Sequence, residues 1–270
     1  MDFALKVLLS FIVGGLAVSA VVWTSERLGS HIGGAIAGIP TTISLSLIFI
    51  CFTEGSSTAR ASSVIIPVII LVGLLYTFVF TQAARYMNIR NKQLGATLIA
   101  TMAWLVAAVI VRFVFANANL LVTVLVFLVG VVIAKYLFRN LRSAKPKKLN
   151  LPNSTYAVRF LVAGGVVASA VLATRLLGSL WGGVVSTAPA IASISLYLLY
   201  KSQGSAFTEG FVKRLPLSYV SAVVFVVILH TTLTHVPTYL AFLLGIIGSL
   251  TYTYILLIVN KPTKVVEQID

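Results

Sequence analysis

Hydroxyl side chains gather twice around a proline in this chain. Thr41, Thr42, Ser44 and Ser46 follow Pro40, and Ser186, Thr187, Ser193 and Ser195 bracket Pro189. A glycine pair precedes each proline at the same distance, Gly33-Gly34 in the first copy and Gly182-Gly183 in the second. Neutral hydroxyls in an apolar run make no acid–base or metal centre; they hold a ligand by hydrogen bonds or tie helices together. Proline removes an amide donor, and away from water the carbonyl it frees must find another partner. The residues after it open a new half-helix, whose first amides are unpaired and partly positive. Thr41 and Thr42 then sit at the start of one half-helix, and Ser186 and Thr187 are expected to cap the other. Two such starts approaching from opposite sides suit an anionic group, or a cation on the released carbonyls. Ser44 and Ser46, like Ser193 and Ser195, are two residues apart, so the members of a pair cannot share one helical face. Gly33, Gly34, Pro40, Gly182, Gly183 and Pro189 are the expected helix-break residues. The same residues have a plainer use: small residues let membrane helices approach, and Ser or Thr bonds across helices without holding a solute.

The remaining reactive side chains exclude most other chemistry. The six acids are Asp2, Glu26, Glu54, Glu209, Glu267 and Asp270, and none falls in the middle of an apolar run. A proton antiporter with a membrane-embedded carboxylate is therefore not expected, nor is a metal-dependent transferase with clustered carboxylates. His31, His230 and His235 are scattered and read as interface histidines rather than metal ligands. No phosphate-binding loop occurs, and the single cysteine, Cys51, lies in an apolar run and reads as a structural thiol. No catalytic residue, metal or cofactor is expected, and the chain is not read as an enzyme. Arg112, near the end of an apolar run, is read as snorkelling, with anion steering as the alternative.

These groups are positioned by membrane helices. Of 270 residues, 59% are hydrophobic and 10% charged, with mean hydropathy +1.04, far from a soluble domain. A span takes about 20 apolar residues. Nine are read, at roughly 3–24, 32–52, 62–84, 94–115, 118–138, 156–176, 180–200, 213–233 and 237–260. Ala17-Val18-Ser19-Ala20 has the look of a signal-peptide cleavage site, but residues 11–22 match residues 160–171, so the first span is read as a retained helix.

An offset of 149 residues aligns the chain with itself without a gap from residue 11 to residue 67. It pairs Phe11 with Phe160, Gly15 with Gly164, both glycine couples, Pro40 with Pro189, Gly55-Ser56 with Gly204-Ser205, and Pro67 with Pro216. Biased composition scatters Leu and Val matches, but it does not align prolines and glycines in one register. The fold class expected is all-α polytopic: two four-helix repeats, 1–116 and 156–260, joined by an unmatched linker helix at 117–139. A basic hinge at 140–155, with Pro146 and Pro152, follows the linker, and 261–270 form a tail. Five crossings precede the second unit, so parity inverts it relative to the first. Pro67 and Pro216 are read as helix starts.

The charge of +14 reads as topology. With the N-terminus outside, only Lys6, Arg60, Arg112 and Arg175 of the 20 basic residues lie outside and 16 lie in the cytoplasm. The positive-inside rule therefore selects N-outside, C-cytoplasmic in the cell membrane. The basic run 135–148 is read as an anchor to anionic head groups and not as a nucleic-acid site.

One unit resembles the GlpM-type small inner-membrane proteins. The resemblance lies in Ala4-Leu5-Lys6, in Ala37-Gly38-Ile39-Pro40-Thr41, and in Thr53-Glu54-Gly55 followed by Ala59-Arg60-Ala61. It covers residues 4 to about 113 and, more faintly, 156 to 260, and it implies a four-helix membrane unit without specifying chemistry. The chain departs from it by being duplicated and by carrying Ala190 where the first unit has Thr41. The function expected is a secondary transporter or facilitator for a small organic or anionic solute. A channel and a non-transporting scaffold are the alternatives. The expected partners are the bilayer, the solute and further copies of the chain, with no nucleic acid.

Overall fold

The computed structural model describes residues 2–27, 40–87, 91–142 and 154–259. Gly33 and Gly34 lie outside the described residues, as does the hinge beyond Arg142. Twelve α-helices occur in the described residues: α1 (Phe3–Arg27), α2 (Thr41–Glu54), α3 (Ser56–Ser63), α4 (Ile66–Tyr86), α5 (Lys92–Val114), α6 (Leu120–Phe138), α7 (Ser154–Leu177), α8 (Ser179–Ser186), α9 (Ala190–Gln203), α10 (Ser205–Ser218), α11 (Val220–Thr232) and α12 (Thr238–Val259). Among them are eight segments long and apolar enough to cross a membrane, with α8–α9 and α10–α11 each counting as one; α2 is apolar but shorter. This is a polytopic membrane protein.

Helix α6 shows why the solvent is lipid. On α6, Thr123, Phe127, Val131, Ala134 and Phe138 form a buried stripe at helical spacing. The opposite face is also apolar, with Leu121, Leu125, Val129, Val132 and Ile133 exposed. Met102 and Phe113 on α5 and Tyr254 and Val259 on α12 continue this exposed surface. An apolar surface of that extent is untenable in water and ordinary in a bilayer.

Helices from before and after α6 pack together with it. Ile50, Phe127, Val167 and Phe225 belong to a single buried cluster, drawn from α2, α6, α7 and α11. Gly130 lets α6 close onto Leu71 of α4, and Gly245 lets α12 close onto Phe225.

Contacts at the helix ends give the running directions. Arg175, near the end of α7, stacks on the ring of Phe3, which opens α1, at 3.9 Å. Lys6 of α1 reaches the carbonyl of Phe52, near the end of α2 (3.3 Å). Helix α1 therefore runs opposite to both α7 and α2. Phe11 and Phe160 meet edge to face at 5.7 Å, Gly15 lies under Phe160, and Gly164 lies under Phe11. All four are residues that the 149-residue offset pairs.

Further on, Arg60 meets His230, and Arg112 lies 5.9 Å from Trp181, at the end that holds Phe3 and Arg175. The other end is tied by Arg142 to Glu209, Lys213 to the Arg139 carbonyl, and the Tyr200 hydroxyl to the Ala84 carbonyl. Arg112 is half-buried, with its guanidinium 5.9 Å from the ring centroids of Phe113 and Trp181.

The offset also preserves backbone conformation. Helices α2 and α9 each have 14 residues and each follow a proline. They end at Gly55 and Gly204, whose φ/ψ are 93/165° and 85/178°. That region is essentially closed to side chains. Gly55→Ala and Gly204→Ala should each cost about 1–3 kcal/mol although the space around both is open. Thermal unfolding of the two variants tests this, and an unchanged melting temperature would contradict it.

Pro67 opens α4 as the sequence implies, but Pro216 does not open a helix. It lies inside α10, three residues before the junction at Tyr219 that leads into α11. The buried side of α10 already begins at Thr208, so the helix forms upstream of the proline rather than being started by it.

Candidate functional site

The two proline positions start helices as the residue types require. Pro40 has φ −76° and Pro189 φ −77°, and in each case the first intrahelical bond goes from the residue four along, Ser44 N or Ser193 N, to the proline carbonyl (2.8 and 2.7 Å). The three amides before that bond have no place in the helix ladder and form the positive end. In the second copy the break spans Thr187 to Pro189, and the amides of Thr187 and Ala188 turn back to Val184 and Val185.

The expected cap by Ser186 and Thr187 does not form. Ser186 Oγ donates to the Gly183 carbonyl and Thr187 Oγ1 to the Val184 carbonyl, both at 2.8 Å, and Pro189 has no side-chain cap. Inside an apolar bundle a helical hydroxyl finds its own preceding carbonyl closer than any group across the break. Gly182 and Gly183 likewise lie within α8 and not at the break. A side chain at Gly182 would strike Thr174 and Ile50, and one at Gly183 would strike the Ser62 carbonyl and Ile65. The pair lets α8 close onto α7, α2 and α3.

The hydroxyls of the two copies are used differently. Ser193 Oγ donates to the Pro189 carbonyl at 2.6 Å, whereas Ser44 and Ser46, 4% and 0% exposed, have side-chain oxygens without any partner. Thr41, Thr42 and Ser195 are half-buried. No hydrogen bond among the described residues joins the first four hydroxyls to the second four. Ser193 instead faces Tyr76 of α4, whose hydroxyl also faces Thr97 and Thr101 of α5. Tyr76 is fully buried, and its oxygen makes no hydrogen bond of good geometry. Buried unpaired hydroxyls are costly in lipid, and Ser44, Ser46 and Tyr76 are three such groups close to the proline motifs in sequence or space.

Tyr76 and Glu209 are missing from the sequence-derived set. A lone tyrosine within the apolar run Leu74 to Phe80 is the only signal for the first. Glu209 has no cation within three residues, so its burial at 2% exposure and its pairing with Arg142 could not be read locally. Among the described residues no three His, Cys, Asp or Glu side chains converge, so none of them assembles a divalent-metal ligand set. Two clefts are formed elsewhere. One, of ≈ 770 Å³, is apolar and lies between α2 and α12 along Ile48, Phe52 and Phe242. The other, of ≈ 300 Å³, lies beside Arg60 and His230.

A family model matches residues 7–117. The family is described as Protein of unknown function (DUF3147), and the match takes in less than half of the chain. It does not tie the chain to the GlpM-type proteins that the first unit resembles. No curated protein and no solved structure matches the chain.

Proposed function

We propose that this protein is a secondary transporter or facilitator of the cell membrane, moving a small organic or anionic solute by alternating access between two inverted four-helix units. In this reading the chain crosses nine times, with its N-terminus outside and its C-terminus in the cytoplasm, and α6 is the linker that inverts the second unit. One observation carries it: offset-paired residues of antiparallel helices α1 and α7 touch reciprocally, and each unit contains a helix begun by a proline within an apolar stretch. Reciprocal contact between equivalent residues is the mark of a two-fold relation, and antiparallel helices put its axis across them, in the membrane plane. The solute then lies at the half-helix starts after Pro40 and Pro189, near Thr41, Thr42, Ser44, Ser46, Ser193 and Tyr76. Its anionic group faces amide donors and meets no carboxylate.

A specific observation favours a second reading, a scaffold without cargo. In the second copy the glycines serve close packing, and Ser186, Thr187 and Ser193 spend their protons on their own helix.

Counterflow of radiolabelled organic acids into proteoliposomes separates the two. The variant Thr41→Val, Thr42→Val, Ser44→Ala should lose transport by roughly tenfold or more, the worth of one or two hydrogen bonds, with its melting temperature retained. Transport at the wild-type rate in that variant would move the site elsewhere. No flux of any acid through the wild-type protein would favour the scaffold.

A further inference from the structure

Position 60 in the first unit corresponds to position 209 in the second, and the two carry opposite charges. Glu209 is closed off by Arg142: the guanidinium approaches Oε1 at 2.7 Å and Oε2 at 3.2 Å, and the Arg142 amide donates to Oε2 at 3.0 Å. Arg60 has no carboxylate within ion-pair distance among the described residues. Glu54, the nearest acid along the chain, has one carboxylate oxygen buried and is not paired with it.

The arginine is nevertheless held in place. Its Nε donates to the His230 carbonyl at 3.1 Å. His230 Nδ1 lies 3.2 Å from the Arg60 carbonyl and 2.9 Å from Ser63 Oγ, and Ser63 gives its own proton to that same carbonyl at 2.7 Å. The tautomer with its hydrogen on Nδ1 satisfies both contacts at once. Residues 60 and 230 thus clamp each other across the two units, and no described residue bonds the terminal guanidinium nitrogens.

Beside them is the ≈ 300 Å³ cleft, lined by Ser57, Arg60, Asn119, His230 and Thr234. Asn119 Oδ1 accepts the Val122 amide as the N-cap of α6, which leaves its NH₂ group as a donor. Leu120, the first residue of this 19-residue helix, also lines the cleft, so the positive end of α6 opens into it. A fixed guanidinium, an amide donor and a helix N-terminus therefore border one cavity with no acid among the described residues that line it.

We propose that this cleft binds a small oxyanion, a carboxylate or phosphate group, between Arg60, Asn119 and the start of α6. Its volume, at the lower limit of ligand pockets, admits a small organic acid or a lipid headgroup. The bound group bridges the first unit, the linker helix and the second unit. The site lies apart from the proline motif and stands whether or not the protein transports.

The test is thermal unfolding in nanodiscs of phosphatidylcholine, with sodium acetate, succinate or phosphate compared against sodium chloride at matched ionic strength. A second arm replaces part of the lipid with phosphatidylglycerol in chloride alone. At least one oxyanion, free or lipid-borne, should raise the wild-type midpoint; a response to free acids identifies a solute, and a response to phosphatidylglycerol alone a headgroup. Arg60→Gln should weaken half-saturation by about tenfold or more, the loss of a charge-assisted bond. Asn119→Asp preserves the helix cap while setting a carboxylate in the cleft, and should abolish the response. Lys201→Gln, at the opposite end and outside the basic run 135–148, should leave it unchanged. No midpoint shift with any probe, or wild-type half-saturation in both cleft variants, overturns the proposal. Because binding is read without flux, either proposal can fail while the other stands.

Discussion

Gly164→Ala should destabilise the protein while Gly165→Ala, one residue along the same helix, should stabilise it. A Cβ at position 164 would run into the backbone carbonyl of Phe11 and close on its ring, and backbone on both sides leaves neither helix able to swing aside. At position 165 the added carbon meets nothing within 4 Å. Overpacking of this kind costs about 1–3 kcal/mol, whereas alanine for glycine in an unobstructed helix gains up to about 1 kcal/mol. Gly15→Ala should match Gly164→Ala, because its Cβ would lie 2.7 Å from both the ring and the carbonyl of Phe160. Larger residues at either position should abolish the folded monodisperse protein. The measurement is a melting curve paired with size-exclusion chromatography. Equal effects at 164 and 165 would mean that α1 and α7 do not pack as described.

The second large effect is expected at the opposite end. Arg142→Glu would set a second carboxylate against Glu209, which is only 2% exposed. Stranding a buried acid is far costlier than losing a surface ion pair, although Arg142 itself is 49% exposed and water reaches the pair from that side. A fall in melting temperature of roughly 5–10 °C follows. The exchange Arg142→Glu with Glu209→Arg should recover part of it, because the attraction returns while the larger guanidinium must fit the carboxylate's place. Glu209→Ala should be milder than Arg142→Ala, since a half-exposed arginine can turn to water and a buried glutamate cannot. If both single alanine variants melt like the wild type, the pair is incidental, and α6 is held to the second unit by Lys213 on the Arg139 carbonyl.

Much of the architecture was legible in the chain itself. Apolar runs about 20 residues long fix the solvent, and in lipid only a helix or a closed barrel pairs every backbone amide. Pro40 and Pro189 start helices wherever they occur in such runs, since the ring removes the donor that would continue the previous turn. The offset of 149 residues anticipated that α2 and α9 would have equal length and that glycines 55 and 204 would share one conformation. These are local or periodic properties, fixed by backbone chemistry and by the medium.

Tertiary structure decided how the polar atoms are spent. Residue types around Ser186 and Thr187 allow either a cap or a bond back to the helix; in the folded chain both hydroxyls remain in the turn before the break and bond their own helix. The motif glycines 182 and 183 let α8 close onto α7, α2 and α3, so a feature that reads as a helix break works as a packing surface. Ser44 and Ser193 are equivalent by sequence, yet one is buried without a partner and the other bonds its proline. Glu209 finds Arg142 and Arg60 finds His230 across 67 and 170 residues of chain, and Tyr76 comes to face Ser193 without bonding it. Each of those neighbours comes from a distant segment and is set by helix direction and crossing, which no spacing within a single segment encodes.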